Sequence, residues 1–240
     1  MYSCSSDNDL EINRINLSLN FTHNWKDSIT STKADFNDIK FDNENGEKLS
    51  IGKLRYLVSD VVLINQNGDT IKTNDYKLID LDDSESLKFT LSEKIQIGTY
   101  KSVKFRFGFD EEDNEGEYPK LNTVSFDVPD MLGGGYHFMQ FDGKYIDSLG
   151  VNSNFNYHMI SAIDKRDSTN IVTTNISFEV NLGAITIGND TTLEVKADLS
   201  QWFKSPNLWD LNKLNTILMP NYHAQIKMKA NGKNVFSLAM

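Results

Sequence analysis

The chain has 240 residues, 39% of them hydrophobic and 11% aromatic, enough to bury a core in one compact domain, and its formal charge is -10. That charge repels phosphate backbones, and no basic stripe with interleaved aromatics offsets it, so no nucleic-acid partner is expected. No apolar stretch approaches the ~18 residues of a spanning helix, and the one cysteine, Cys4, leaves no intramolecular disulfide and no Cys-type zinc site.

Cys4 precedes Ser5-Ser6-Asp7-Asn8-Asp9, a polar acidic run of the kind that follows the acylated cysteine of a bacterial lipoprotein. Residues 1–13 are therefore expected to be a flexible lipoprotein-type tail, with Cys4 lipidated and the body held at the outer membrane, periplasmic or surface-exposed. The apolar leader of such a precursor would lie upstream of Cys4. Acidic residues straight after the cysteine also look like the surface-export signal of Bacteroidetes lipoproteins.

Residues 14–240 read as one β domain. From 14 to 21, Ile15, Leu17, Leu19 and Phe21 alternate with polar residues, the pattern of a half-buried strand, and the same parity carries His23 and Trp25 inward. The run 54–65 is β-branched and aromatic, and Asn67-Gly68 after it predicts a hairpin with a type I′ turn. Further strands are expected at 76–80, 86–91, 99–108, 135–142, 154–162, 170–182 and 192–199. Two helices are expected at 207–218 and 221–230, the second with an apolar face of Tyr222, Ile226 and Ala230. Many short strands with polar turns make the fold class all-β, a single-domain sandwich or irregular barrel with two short C-terminal helices.

Chemistry concentrates on histidines. Three of the four sit in apolar, strand-like runs beside aromatics: Phe21-Thr22-His23, Tyr136-His137-Phe138 and Tyr157-His158. Imidazole is the commonest protein ligand for transition metals. Alternation puts His137 on one face with Met139, a soft thioether suited to copper(I), although a methionine there is also ordinary core filler. Any single histidine of this kind is more often a structural residue. The run Asp110 to Glu117 gathers carboxylates beside Gly116, so Asp110, Asp113 and Asn114 could hold calcium, but Glu111 and Asn122 break the EF-hand pattern and a solvated acidic loop is the commoner reading. Gly133-Gly134-Gly135 precedes a strand and is no phosphate cradle; it allows a sharp bend or close approach before His137. Nucleophile-elbow, P-loop and H-E-x-x-H patterns do not occur, and nothing demands an enzyme.

Several segments in one order, FTHNW, LRYLVSDVVLINQNGD, GTYKSVKFRFGFDEEDN, GGGYHFMQFDG, FNYH and LMPNYHAQIKMKANGKNVF, resemble the MbnP-like copper-binding family from about residue 15 to 236. That family is associated with methanobactin operons and is widespread as lipoproteins in Bacteroidetes. The resemblance implies a β-rich secreted or lipid-anchored protein, non-enzymatic, holding one copper through histidines with a tryptophan oxidised to kynurenine. Carried over by position, the ligands would be His23 and His158, with His137 a third and Met139 or Trp25 additional. The chain departs from the pattern in having no tryptophan between Phe107 and Tyr145. Two other readings stand beside it: a metal-free sandwich lipoprotein recognising a glycan, peptide or protein, and a three-histidine zinc hydrolase.

Overall fold

The computed structural model describes residues 13–26, 28–29 and 36–239. Cys4 lies outside these residues. The chain is all-β in character, built on two facing sheets. Its spine is β2 (Lys53–Asn65), which follows β1 (Leu17–Trp25). Beside the spine lie β3 (Gly98–Phe107) and β4 (Met139–Ile146), both antiparallel to it. β5 (Asn152–Met159) pairs with β4 along its whole length, and β6 (Phe178–Ile187) closes the other side against β3. The second sheet joins β1 to β7 (Thr191–Asp198) in parallel, with Ala197 opposite His23, and β8 (Phe236–Leu238) runs antiparallel to β7.

Period-two alternation decides which side chains meet between the sheets. On β1, Leu17, Leu19, Phe21, His23 and Trp25 are all buried, as the sequence pattern predicts. Phe21 packs edge-on to Tyr56 of β2 at 6.0 Å and to Phe105 of β3 at 5.6 Å, joining the sheets through ring contacts worth about 1 kcal/mol each beyond their buried area. The other face of β2 and β4 is covered in part by the excursion between β3 and β4, whose Phe126 lies under the Arg55 guanidinium at 5.4 Å.

Four local expectations need correction. Residues 207–218 are not a helix. Their short polar side chains bind nearby backbone instead: Asp210 accepts from the amide of Asn212, and Asn215 from that of Thr216, the competition that keeps Asp and Asn out of helix interiors. Trp209 and Leu211 bury as anchors of this irregular segment. The second expected helix forms as Tyr222–Gly232, capped by the Asn221 side chain, but it buries Ala224, Gln225, Met228 and Asn231 rather than the Tyr222 face. Gln225 and Asn231 go inward because their amides clamp backbone carbonyls. Asn67-Gly68 does make a hairpin, but only Gly68 has positive φ, +98°, and its amide bonds the Asn65 carbonyl, so the turn is a three-residue loop and not type I′. The strand expected at 170–182 splits into Val172–Thr174 and Phe178–Ile187. Among the described residues, no helix is long and apolar enough to cross a membrane.

Candidate metal centre on the outer face of the main sheet

The three histidines of the apolar runs do not converge; two of them do. In β4 and β5, Gln140 lies opposite His158 and Met139 opposite Met159, while Gln140 also faces Arg55 and Met139 faces Tyr56. Directly opposed residues share a face. Tyr56, Met139 and Met159 therefore point into the sandwich, and Arg55, Gln140 and His158 point out of it.

His23 belongs to the interior. It is 1% exposed, and its Nε2 lies 2.9 Å from the Tyr56 hydroxyl. Its Nδ1 is buried with no hydrogen-bond partner among the described residues, and burial lowers its pKa to about 3. Met139 is fully buried on the same side. Trp25 is also accounted for, with its indole N–H donated to the Asp42 carbonyl at 3.0 Å and its ring against Phe41 and Phe203. The sheet stands between these residues and His158.

His137 falls on the outer side, against the parity expected of it. The chain at His137 and Phe138 is irregular and β4 begins at Met139, so alternation does not carry back through it. The His137 and His158 rings meet edge to face, centroids 5.4 Å apart at 84°. A metal about 2.1 Å from a nitrogen of each of two imidazoles holds their centroids about 5–6 Å apart. The observed spacing fits.

The remaining ring nitrogens are fixed by acceptors. His158 Nε2 lies 2.7 Å from Asp142 Oδ1, and a carboxylate only accepts, so the Nε2–H donates and Nδ1 is the nitrogen that carries the lone pair whenever the ring is neutral. His137 Nδ1 lies 3.1 Å from the Phe126 carbonyl, which leaves Nε2 as its lone-pair nitrogen. Burial lowers the His137 pKa to about 4, against the opposing pull of that carbonyl, so the ring is neutral at pH 7. Burial raises Asp142, but hydrogen bonds from His158 and Asn156 outweigh it and leave the carboxyl below its ordinary range. A carboxylate and a carbonyl each orienting one imidazole is the outer-shell arrangement that metal-binding histidines use.

The support behind these groups is built in. Arg55 donates to Gln140 Oε1 at 2.7 Å and to the Val124 carbonyl at 2.8 Å, and Gln140 donates to the Ser125 carbonyl at 3.2 Å. Together they tie down the loop that presents Phe126. The glycine run works by close approach: Gly135 has φ +74° and a Cβ there would strike Asn114, whose Oδ1 receives the Tyr136 amide at 3.0 Å. Beside His158 opens a cavity of about 400 Å3 lined by Leu132, Asn156, Ile217, Leu218, Met219 and Pro220.

The acidic run takes a different role from a calcium loop. Asp110 caps Asp113 and Asn114 is spent on Tyr136. Oxygens of Asp60, Asp110 and Asp113 do lie within 4.8 Å of one another, but Asp60 already carries Lys72 at 3.1 Å and Arg106 at 3.2 Å. Protein cations fill the place calcium would take, and calcium finds no support there. Asp60 itself, buried and at φ +51°, was not singled out by any sequence signal. Asp142, by contrast, was within reach: if the strands 135–142 and 154–162 pair as a hairpin, Asp142 and Asn156 come opposite and His158 lies diagonal to them.

The MbnP family model matches residues 14–224. Among solved structures, MbnP from Methylosinus trichosporium superposes with a TM-score of 0.54 at 14% identity, covering 82% of this chain and 80% of that one, a likeness of fold. No protein of curated function matches the sequence.

Proposed function

Because the chain belongs to the MbnP family, we propose that it is a non-enzymatic copper-binding protein of the cell envelope, with the ion held by His137 and His158 rather than by His23. The observation that carries this is the pair of rings 5.4 Å apart, each with one nitrogen bonded to an oxygen acceptor and the other left as a lone pair. Copper, when bound, would supply a soft cation with redox capacity; the protein supplies orientation. Asp142 holds the His158 proton on Nε2, Phe126 holds the His137 proton on Nδ1, and the His137 ring, neutral at pH 7, has no proton to lose on binding.

Copper titration of the purified protein against a chromophoric chelator tests the assignment. One ion per chain is expected in the parent and none in His158→Ala or His137→Ala; stoichiometry unchanged by either substitution refutes it. We further propose that Cys4 carries the lipid anchor, periplasmic or surface-exposed, as its acidic flank suggests. Intact mass of the membrane-extracted protein, with Cys4→Ser released to the soluble fraction, tests that.

The second reading, a surface lipoprotein that recognises a protein, peptide or glycan, draws on one feature: Ile217, 81% exposed, lines the apolar cavity. Copper-free protein recovered from copper-rich medium would favour it.

A further inference from the structure

Two features that stand out in the sequence find no use in the copper site: the acidic run 110–117 and the apolar face of the last helix. The fold brings them together at Asn175. A cavity of about 480 Å3 is lined by five carboxylates, Glu111, Glu115, Glu117, Asp127 and Asp130, and by no basic residue, and Asn175 forms part of its wall. The helix Tyr222–Gly232 attaches to the same residue, its Lys229 ammonium donating to the Asn175 carbonyl at 3.1 Å. The stretch 221–240 holds three lysines and no Asp or Glu in a chain of formal charge -10. With Ala224, Gln225 and Met228 buried, the 3.6-residue period turns the stripe of Tyr222, Ile226 and Ala230 outward. Lys229 and Lys233 edge that stripe on one flank, and His223 and Lys227 on the other. Tyr222 carries the Arg166 guanidinium at 5.8 Å, a pair of the residue types that interfaces favour. Among the described residues, no ion pair engages the five carboxylates or Lys227, Lys229 and Lys233. Burial, with the charges of Lys233 and Arg106, holds the Lys229 ammonium below its usual range.

We propose that this face is the contact surface between two copies of the chain, a two-fold dimer in which the lysine-edged helix of each copy lies against the acidic cavity mouth of the other. Charge complementarity selects the partner: the chain itself supplies both signs, unpaired and bordering one residue. Because the two patches are neighbours, a single two-fold axis pairs both at once, lysines to carboxylates and carboxylates to lysines, and the contact closes. The half-buried Tyr222 and Ile226 supply apolar area between the charged flanks. The negative charge of each copy as a whole is screened beyond about 8 Å at physiological salt, so the local pairing decides. The inference goes beyond the copper reading and stands without it.

Sedimentation equilibrium of the full chain at about 1 µM to 1 mM, in a Cys4→Ser background that excludes a disulfide-linked dimer, tests this. A concentration-dependent monomer-dimer equilibrium is expected, weaker as salt rises from about 0.1 to 0.5 M. Lys227→Glu with Lys233→Glu should weaken it about tenfold or more, and Glu115→Lys with Glu117→Lys should do the same. All four side chains are exposed, so both variants should fold, which circular dichroism checks. Mixed in equal amounts, the two variants carry opposite charges at both contacts and should associate within about threefold of the parent. A parent that stays monomeric, a dimer that survives both charge reversals, or a mixture that fails to associate overturns the proposal. Anionic vesicles provide the remaining arm: a monomeric parent that binds phosphatidylglycerol vesicles through Lys227 and Lys233 assigns the face to a membrane and overturns it as well.

Discussion

His23 and His158 are the same residue type on neighbouring parts of one fold, and the sheet between them gives each a different chemistry. His23 is sealed among aromatic rings, and among the described residues its imidazole has Tyr56 as its one hydrogen-bond partner, with the other nitrogen left bare. His158 stands at a cavity wall, its proton held by Asp142 and its neighbour His137 at contact distance. An apolar, strand-borne histidine is thus not by itself a ligand. What separates the two is the supply of outer acceptors and access to a second donor.

The difference can be broken most forcefully at the outer pair. His158→Ala should lower copper affinity by about 100-fold or more, whereas His23→Gln, which keeps a hydrogen bond to Tyr56, should leave it within about twofold; chelator competition reads both.

Acid should attack the inner site next. His23 has a folded pKa of about 3 against 6.5 unfolded, so as pH drops below 6.5 the unfolded chain takes up a proton that the folded one refuses. Its contribution is absent at pH 7, and stability then falls through the window from 6.5 to about 3, at up to about 1.4 kcal/mol per pH unit. His137 does the same down to about 4. Denaturant unfolding at a series of pH values should show a shallower decline in His23→Gln; an identical slope would mean that His23 is not the buried neutral group described.

A finer cut is Asp142→Asn, which keeps the size of the side chain but removes the acceptor-only carboxylate that fixes the His158 tautomer. Copper affinity should fall about 10- to 100-fold with stoichiometry still one. The smallest effect is expected from Tyr56→Phe, which strips His23 of its partner and should cost about 1–3 kcal/mol in thermal or urea unfolding, with copper affinity untouched.

Much of this is legible in the amino-acid sequence. Alternation from Ile15 onward placed His23 and Trp25 inside, and they are inside. The strand character of 154–162 located His158. Alternation failed at His137 because the period holds only within a regular strand, and that strand starts at Met139. The helix expected over 207–218 does not form because the Asp210 and Asn215 side chains bind nearby backbone amides instead. The Asp60 cluster was beyond reach, since it depends on a spine residue meeting a loop some fifty positions away, with Lys72 and Arg106 already in place.

One comparison addresses the assignment most directly: copper stoichiometry of His23→Gln beside that of His158→Ala, both shown folded by circular dichroism. One ion per chain in the first and none in the second is the expected result. Loss of copper from His23→Gln with retention in His158→Ala would place the ion inside the sandwich and contradict the outer site.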